Sequence, residues 1–199
     1  MVNSLFSCNE QKLKKINDFY FSLYNNKNIK VEKNVFILKR RKLNLFDSII
    51  IFKNNEKVLS FTETFDKNGV YRYILGKKAL THSLKDSSKI ITKYNLTYNP
   101  FINKGVTLID KAIYKFGKNS YKIYHYSEVQ DNHTSFDSYY LVNVGFICYY
   151  NFDTDKYILC DSTNIKSLKI KEVTSRLIND TTFFSKYTIA KLFPKYYRK

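Results

Sequence analysis

Apolar side chains gather in four short runs in the first half of the chain, residues 35–39, 48–53, 57–64 and 70–75. Runs of this length, rich in Ile, Val, Phe, Tyr and Thr, read as β-strands. Asn54, Asn55 and Glu56 separate the second run from the third, and Asp66, Lys67, Asn68 and Gly69 separate the third from the fourth. Connections this short join antiparallel neighbours, so the block predicts a β-meander. Ahead of it, Leu13, Ile16, Phe19, Tyr20 and Leu23 recur at helical spacing behind a capping box of Ser7 and Glu10. That spacing predicts an N-terminal helix, ended by Asn25, Asn26 and Asn28.

The second half mixes the two periods. Residues 77–94 place Leu80, Leu84, Ile91 and Tyr94 on one helical face. Residues 106–116 do the same with Ile109, Ala112, Ile113 and Phe116, and Gly117 stands where a helix would end. Residues 121–126 read as a strand, with Tyr121, Ile123 and His125 on one face and Lys122, Tyr124 and Tyr126 on the other. Further strands are expected over 139–150 and 156–160, a helix near 169–178, and a helical stripe over 182–193 that stops at Pro194. The expected fold class is therefore α+β. It would be a single compact domain over 1–199: N-terminal helix, antiparallel meander, helices, a second group of strands and C-terminal helices.

Charge narrows the partners. The 199 residues carry a formal net charge of +17, from 34 Lys and Arg against 17 Asp and Glu. Such an excess favours an anionic partner: nucleic acid, alone or in a nucleoprotein assembly, an anionic membrane, or an acidic protein. Lys and Asn dominate, as they do when codons are AT-rich, so a viral, plasmid or organelle genome would supply part of the excess without selection. The excess is spread along the chain: +6 over 1–50, +5 over 51–100, +1 over 101–150 and +5 over 151–199. Neither end is a charged tail.

Cys8, Cys148 and Cys160 are odd in number and form no CxxC pair, which argues for reduced thiols rather than a disulfide framework or a zinc knuckle. The first residues lack a basic start followed by an apolar run, and the longest apolar run, 139–150, is too short to span a bilayer as a helix. An intracellular, cytoplasmic protein is expected.

No dinucleotide fingerprint, Walker loop, nucleophile elbow or zincin motif is present, and five glycines leave little material for one. No cofactor and no metal site is expected. Asp131, His133 and Asp137 form the one spot where a histidine is flanked by carboxylates, an acid–base pair if the side chains converge. The densest basic cluster is Lys39, Arg40, Arg41 and Lys42. With Lys77, Lys78, Lys195, Arg198 and Lys199 it supplies the candidate phosphate contacts, and Tyr124, Tyr126, Tyr196 and Tyr197 are the candidate stacking residues.

Tyr73, Ile74, Leu75 and Gly76 followed by an expected helix, then residues 111–117 before a strand, resemble in order the layout of GIY-YIG nucleases over about a third of the chain. The resemblance implies a nuclease with Glu128 in the place of the metal-binding glutamate. The sequence departs from the family in lacking the Gly-Ile-Tyr strand start and in having no arginine within 77–94.

The leading expectation is a basic protein without catalysis that binds RNA or DNA, or a nucleoprotein assembly, through a Lys-rich surface. The alternative is a structural or interaction component whose charge is compositional. The third is a small hydrolase or degenerate GIY-YIG-like nuclease. The sequence does not set an oligomeric state.

Overall fold

Among the described residues, eleven β-strands build one continuous antiparallel sheet. The computed structural model describes residues 15–74, 77–84, 105–129 and 135–187. The first six strands are β1 (Ile16–Asn25), β2 (Lys30–Lys42), β3 (Asp47–Lys53), β4 (Glu56–Phe65), β5 (Gly69–Ile74) and β6 (Lys77–Ser83). The remaining five are β7 (Gly105–Phe116), β8 (Asn119–Val129), β9 (Ser135–Leu141), β10 (Gly145–Asn151) and β11 (Lys156–Thr163). A single helix longer than one turn is described, α1 (Ile170–Ile178). The strand order is β6-β5-β4-β3-β2-β1-β11-β10-β9-β8-β7. Two meanders are thus joined where β1 pairs with β11, Phe21 opposite Cys160 and Tyr24 opposite Tyr157.

The sheet rolls over on itself. Phe65 of β4 stacks on Tyr140 of β9 at 5.4 Å, and His82 of β6 meets Tyr126 of β8 edge-on at 4.9 Å. Val70, Val106, Leu108, Tyr124 and Phe146 fill the space between the two halves. The end strands β6 and β7 approach each other without a ladder between them, so the barrel is nearly closed. Closure of this kind removes most of the unpaired edge that an open sheet would expose.

Opposite the interior, the second meander carries a helical layer. On α1, Ile170, Val173, Thr174 and Leu177 are buried, the i, i+3, i+4, i+7 stripe of an amphipathic helix. Glu172 in its first turn and Arg176 in its last suit the helix dipole. The buried face packs with Phe183 and Phe184 on Tyr139, Tyr150, Tyr157 and Leu159 of the sheet.

The α+β expectation is overturned by this all-antiparallel barrel. Three expected helices are strands. Residues 16–25 form β1, where a register shift between Tyr20 and Phe21 leaves Phe19, Phe21 and Ser22 all buried. A bulge adds one residue to the alternation, and the resulting spacing imitates a helix. Residues 106–116 lie in β7, where another shift falls between Leu108 and Asp110. Ile109 and Ile113, half of the supposed helical face, are 55% and 58% exposed. Residues 77–83 are strand β6, and residues 85–94 of that expected helix lie outside the described residues. The GIY-YIG-like order fails on the same two elements, and Glu128 lies in β8. The four runs of the first meander are strands, as their composition predicted, and the helix near 169–178 is α1. The capping box at Ser7 and most of the stripe over 182–193 lie outside the described residues.

Turn chemistry falls to asparagine. Asn54 and Asn55 hold φ of 51° and 66° at the β3–β4 hairpin, and Asn28, Asn34 and Asn143 also have positive φ. Two successive residues with positive φ suit the tight hairpin turns whose twist matches that of the strands. Asn tolerates this conformation because its short side chain bonds the local backbone, a role glycine fills in most proteins.

Candidate functional site

Among the described residues Asp47, Glu63, Asp66, Asp137, Asp155, Asp161 and Asp180 are engaged by the protein's own groups, Glu32, Glu56, Asp110, Asp153 and Glu172 are exposed, and most lysines face out. Arg40 shows the first half of this. It is 6% exposed and reaches into the barrel, where Nε donates to Asp47 at 2.7 Å and Nη1 to the carbonyl of Val144. Gly145 makes room for it, since a Cβ there would stand 2.7 Å from Nη1. Glu63, buried on β4, lies 3.8 Å from Arg40 and 3.4 Å from Nε of Arg72. Burial works against the Arg40 charge, but Glu63, Tyr140 and Asp47 more than offset it and raise its pKa. Asp155 accepts from Tyr150 and Asn26. Asp66 caps the amides of Asn68 and Gly69.

Every described lysine except Lys39 and Lys186 is exposed. An outward lysine set above internally engaged carboxylates makes the surface more positive than composition alone indicates.

That surface holds a groove of about 470 Å³ between β1, β2, β11 and α1. Lys30, Lys33 and Lys171 line it together with Ser22, Tyr24, Asn34, Asp161 and Ser175. Asp161 is the one carboxylate in this lining. It forms an ion pair with Lys30 and accepts from the Tyr24 hydroxyl at 3.1 Å. Partial burial works against its charge, yet hydrogen bonds from Lys30 and Ser22 outweigh that and hold its pKa below the ordinary value. The Lys30 ammonium is raised in turn, chiefly by its bond to Asp161.

Asp180, at the far end of the helical layer, is also lowered. Partial burial opposes its charge, but the Thr182 hydroxyl and amide and the Tyr114 hydroxyl outweigh it. A carboxylate whose folded pKa lies below its unfolded value stabilises the fold above about pH 4, and that contribution is lost as acid protonates it. Stability should therefore fall as pH drops below about 4, through the depressed pKa values of Asp161 and Asp180. Thermal melts between pH 6 and 2 check this (a range set by the ordinary carboxylate pKa), and Asp180→Asn should flatten the acid limb.

The residues singled out from the sequence are scattered by the fold. Lys39 is half-buried with Nζ 5.3 Å from the Phe52 ring, Arg40 is inside the barrel, and Arg41 and Lys42 are exposed. Strand alternation splits the basic cluster in this way. Lys77 and Lys78 are exposed on β6. They lie toward the same end of the sheet as Lys42: Phe46 of the β2–β3 turn stands 6.1 Å from Tyr73, whose cross-strand partner is Lys78. Tyr124 and Tyr126 are 5% and 0% exposed and pack in the interior, which leaves no ring face for a base. Asp131, His133, Lys195, Tyr196, Tyr197, Arg198 and Lys199 lie outside the described residues.

Asp137 meets a histidine that sequence proximity did not suggest. His125 Nε2 lies 2.6 Å from Asp137 Oδ2, and the Ser185 hydroxyl donates to the same oxygen. Ser185 Oγ also lies 3.1 Å from His125 Nε2. Tyr139 Oη lies 2.5 Å from Ser185 Oγ and accepts from the Ser185 amide at 2.8 Å. The His125 ring stacks on Tyr139 at 4.6 Å. Serine, histidine and aspartate are gathered here, but serine and histidine share one carboxylate oxygen. A serine nucleophile instead needs a histidine nitrogen free to take its proton. All four side chains are buried. The arrangement fastens residues 183–187 to β8 and β9.

Among the described residues no group of histidine, cysteine and carboxylate side chains is placed to hold a metal ion, and no helix is long and apolar enough to cross a membrane. Comparisons with protein-family models, curated proteins and solved structures gave no match.

Proposed function

We propose that this barrel is a binding protein for a polyanion, RNA or DNA free or within a nucleoprotein assembly, and that it works without catalysis. The observation that carries the reading is the partition of charge. Lysines point to solvent from β2, β3, β4, β6, β7, β8 and β11, while the buried or half-buried carboxylates satisfy Arg40, Arg72, His125, tyrosines and turn amides. Nucleic-acid affinity is dominated by phosphate contacts, and dispersed exposed lysines supply them without a preformed catalytic pocket. A cytoplasmic setting fits the same reading, since Cys148 and Cys160 are buried free thiols. Burial pushes the Cys148 thiol well above its usual value and Cys160 up to about 12, so both stay protonated and unreactive.

The reading is tested by fluorescence anisotropy with labelled single-stranded RNA and duplex DNA. The variant Arg41→Gln, Lys42→Gln, Lys77→Gln, Lys78→Gln removes the charge at one end of the sheet and alters no buried side chain. It should weaken binding to both probes alike and lower the salt slope by about 1 for each side chain that had met a phosphate. No binding of the parent protein near physiological salt would overturn the proposal.

A further inference from the structure

The groove beside α1 differs from the rest of the basic surface in how it is built. Its lining holds three lysines and one carboxylate, a balance of two positive charges. Asp161 is already engaged by Lys30 and Tyr24, so it is a poor competitor for the remaining cations. Lys33 rises from β2 and Lys171 from α1, on different walls. Ser175 and Asn34 add hydrogen-bonding side chains to the same lining.

A backbone irregularity marks the same place. Pairing between β1 and β2 jumps from Phe21 opposite Phe36 to Leu23 opposite Glu32, so Lys33, Asn34 and Val35 together face Ser22. Asn34 sits at φ of 51°, and its amide donates to the Ser22 hydroxyl at 3.2 Å. Bulges re-aim side chains and are over-represented next to functional sites. Here the bulge carries Lys33 in the lining of the groove. The volume falls in the range of small-ligand sites, enough for a phosphate and the sugar attached to it.

We infer that this groove is a phosphate-binding site, with Lys33 and Lys171 taking the phosphate oxygens from opposite walls and Asn34 and Ser175 beside them. The inference rests on the polyanion reading for its biological ligand, but its chemistry is testable without nucleic acid. From Lys33 to Lys42 along β2 the chain runs roughly 30 Å at about 3.3 Å per residue, which keeps the groove separate from the basic end of the sheet.

The probe is inorganic pyrophosphate, titrated into the full-length protein and followed by amide chemical shifts. Saturable shifts should concentrate on Asn34, Ser162 and Ser175, and Lys33→Gln with Lys171→Gln should weaken binding at least about tenfold, a loss of 1.4 kcal/mol or more. The reference variant is Lys115→Gln with Lys118→Gln, two exposed lysines of the β7–β8 hairpin outside the groove lining, which should leave pyrophosphate binding unchanged. Shifts spread evenly over exposed lysines, or binding unaffected by the double variant, would overturn the site. Oligonucleotides with and without a 5′-phosphate then separate a terminal phosphate from an internal phosphodiester. Pyrophosphate binding without oligonucleotide binding would keep the groove and sink the nucleic-acid reading, whereas the reverse would keep that reading and sink the groove.

Discussion

Arg40→Met should cost about 3–5 kcal/mol of folding stability, the usual consequence of removing one partner from a buried ion pair. Against a typical total of about 5–15 kcal/mol, that is enough to bring unfolding close to physiological temperature. The cause lies in what the substitution leaves behind. Glu63 is 1% exposed and would keep only Arg72, at 3.4 Å, while Asp47 would lose its guanidinium partner. The carbonyl of Val144 would lose its donor as well. Arg40 lies on β2 and Val144 in the β9–β10 turn. The roll of the sheet brings these elements together from opposite halves, so the bonds removed are ones that close the barrel. Adding Glu63→Gln should recover part of the loss, because it removes the uncompensated charge. Urea denaturation of the two single variants and the double variant measures the coupling. A loss below about 1 kcal/mol, or full additivity, would mean that Arg40 is not held as described.

Asp137→Ala should be comparably severe, about 3–5 kcal/mol, for a related reason. His125 Nε2 and the Ser185 hydroxyl both lose their acceptor inside a site that excludes water. The effect should also be local. The Ser185 amide, protected by its bond to Tyr139, should exchange with solvent faster than amides of β10 and β11, because the variant unfastens residues 183–187 first. Replacing His125 and Asp137 together with leucine should cost less than Asp137→Ala alone, since the histidine leaves with its acceptor and the Ser185 hydroxyl keeps the Tyr139 oxygen beside it. Uniform loss of protection across the sheet would contradict this fastening role.

The first meander was legible because β2 to β5 follow a simple rule: short apolar runs broken by Asn and Gly turns. The N-terminal element and residues 106–116 were not, because bulges in β1 and β7 displace the alternation by one residue and leave apolar residues at helical intervals. Gly117 illustrates the ambiguity well. Its φ of 61° is what a helix end and a hairpin turn both ask of glycine, and only the pairing of Phe116 with Asn119 decides for the hairpin. The enrichment of residues 106–116 in Val, Thr and Ile was the signal for a strand.

The candidate site was less legible still. The sequence shows that lysines are abundant but not which carboxylates the fold consumes, and that difference depends on long-range pairs such as Arg40 with Glu63. Lys33 is separated from Asp161 and Lys171 by most of the chain and meets them only because β1 pairs with both β2 and β11. The interior placement of Tyr124 and Tyr126 follows from which face of β8 turns inward, and that is fixed by closure of the barrel rather than by local pattern.

The decisive quantity is the affinity of the full-length protein for single-stranded RNA and duplex DNA across a salt series. A plot of log affinity against log salt should fall steeply, with a slope near 0.7–0.9 for each phosphate engaged, so about 3 or more for a strand held by several of the exposed lysines. A flat line, or no binding near 0.15 M salt, would contradict polyanion binding and would leave the outward charge without an anionic polymer to serve.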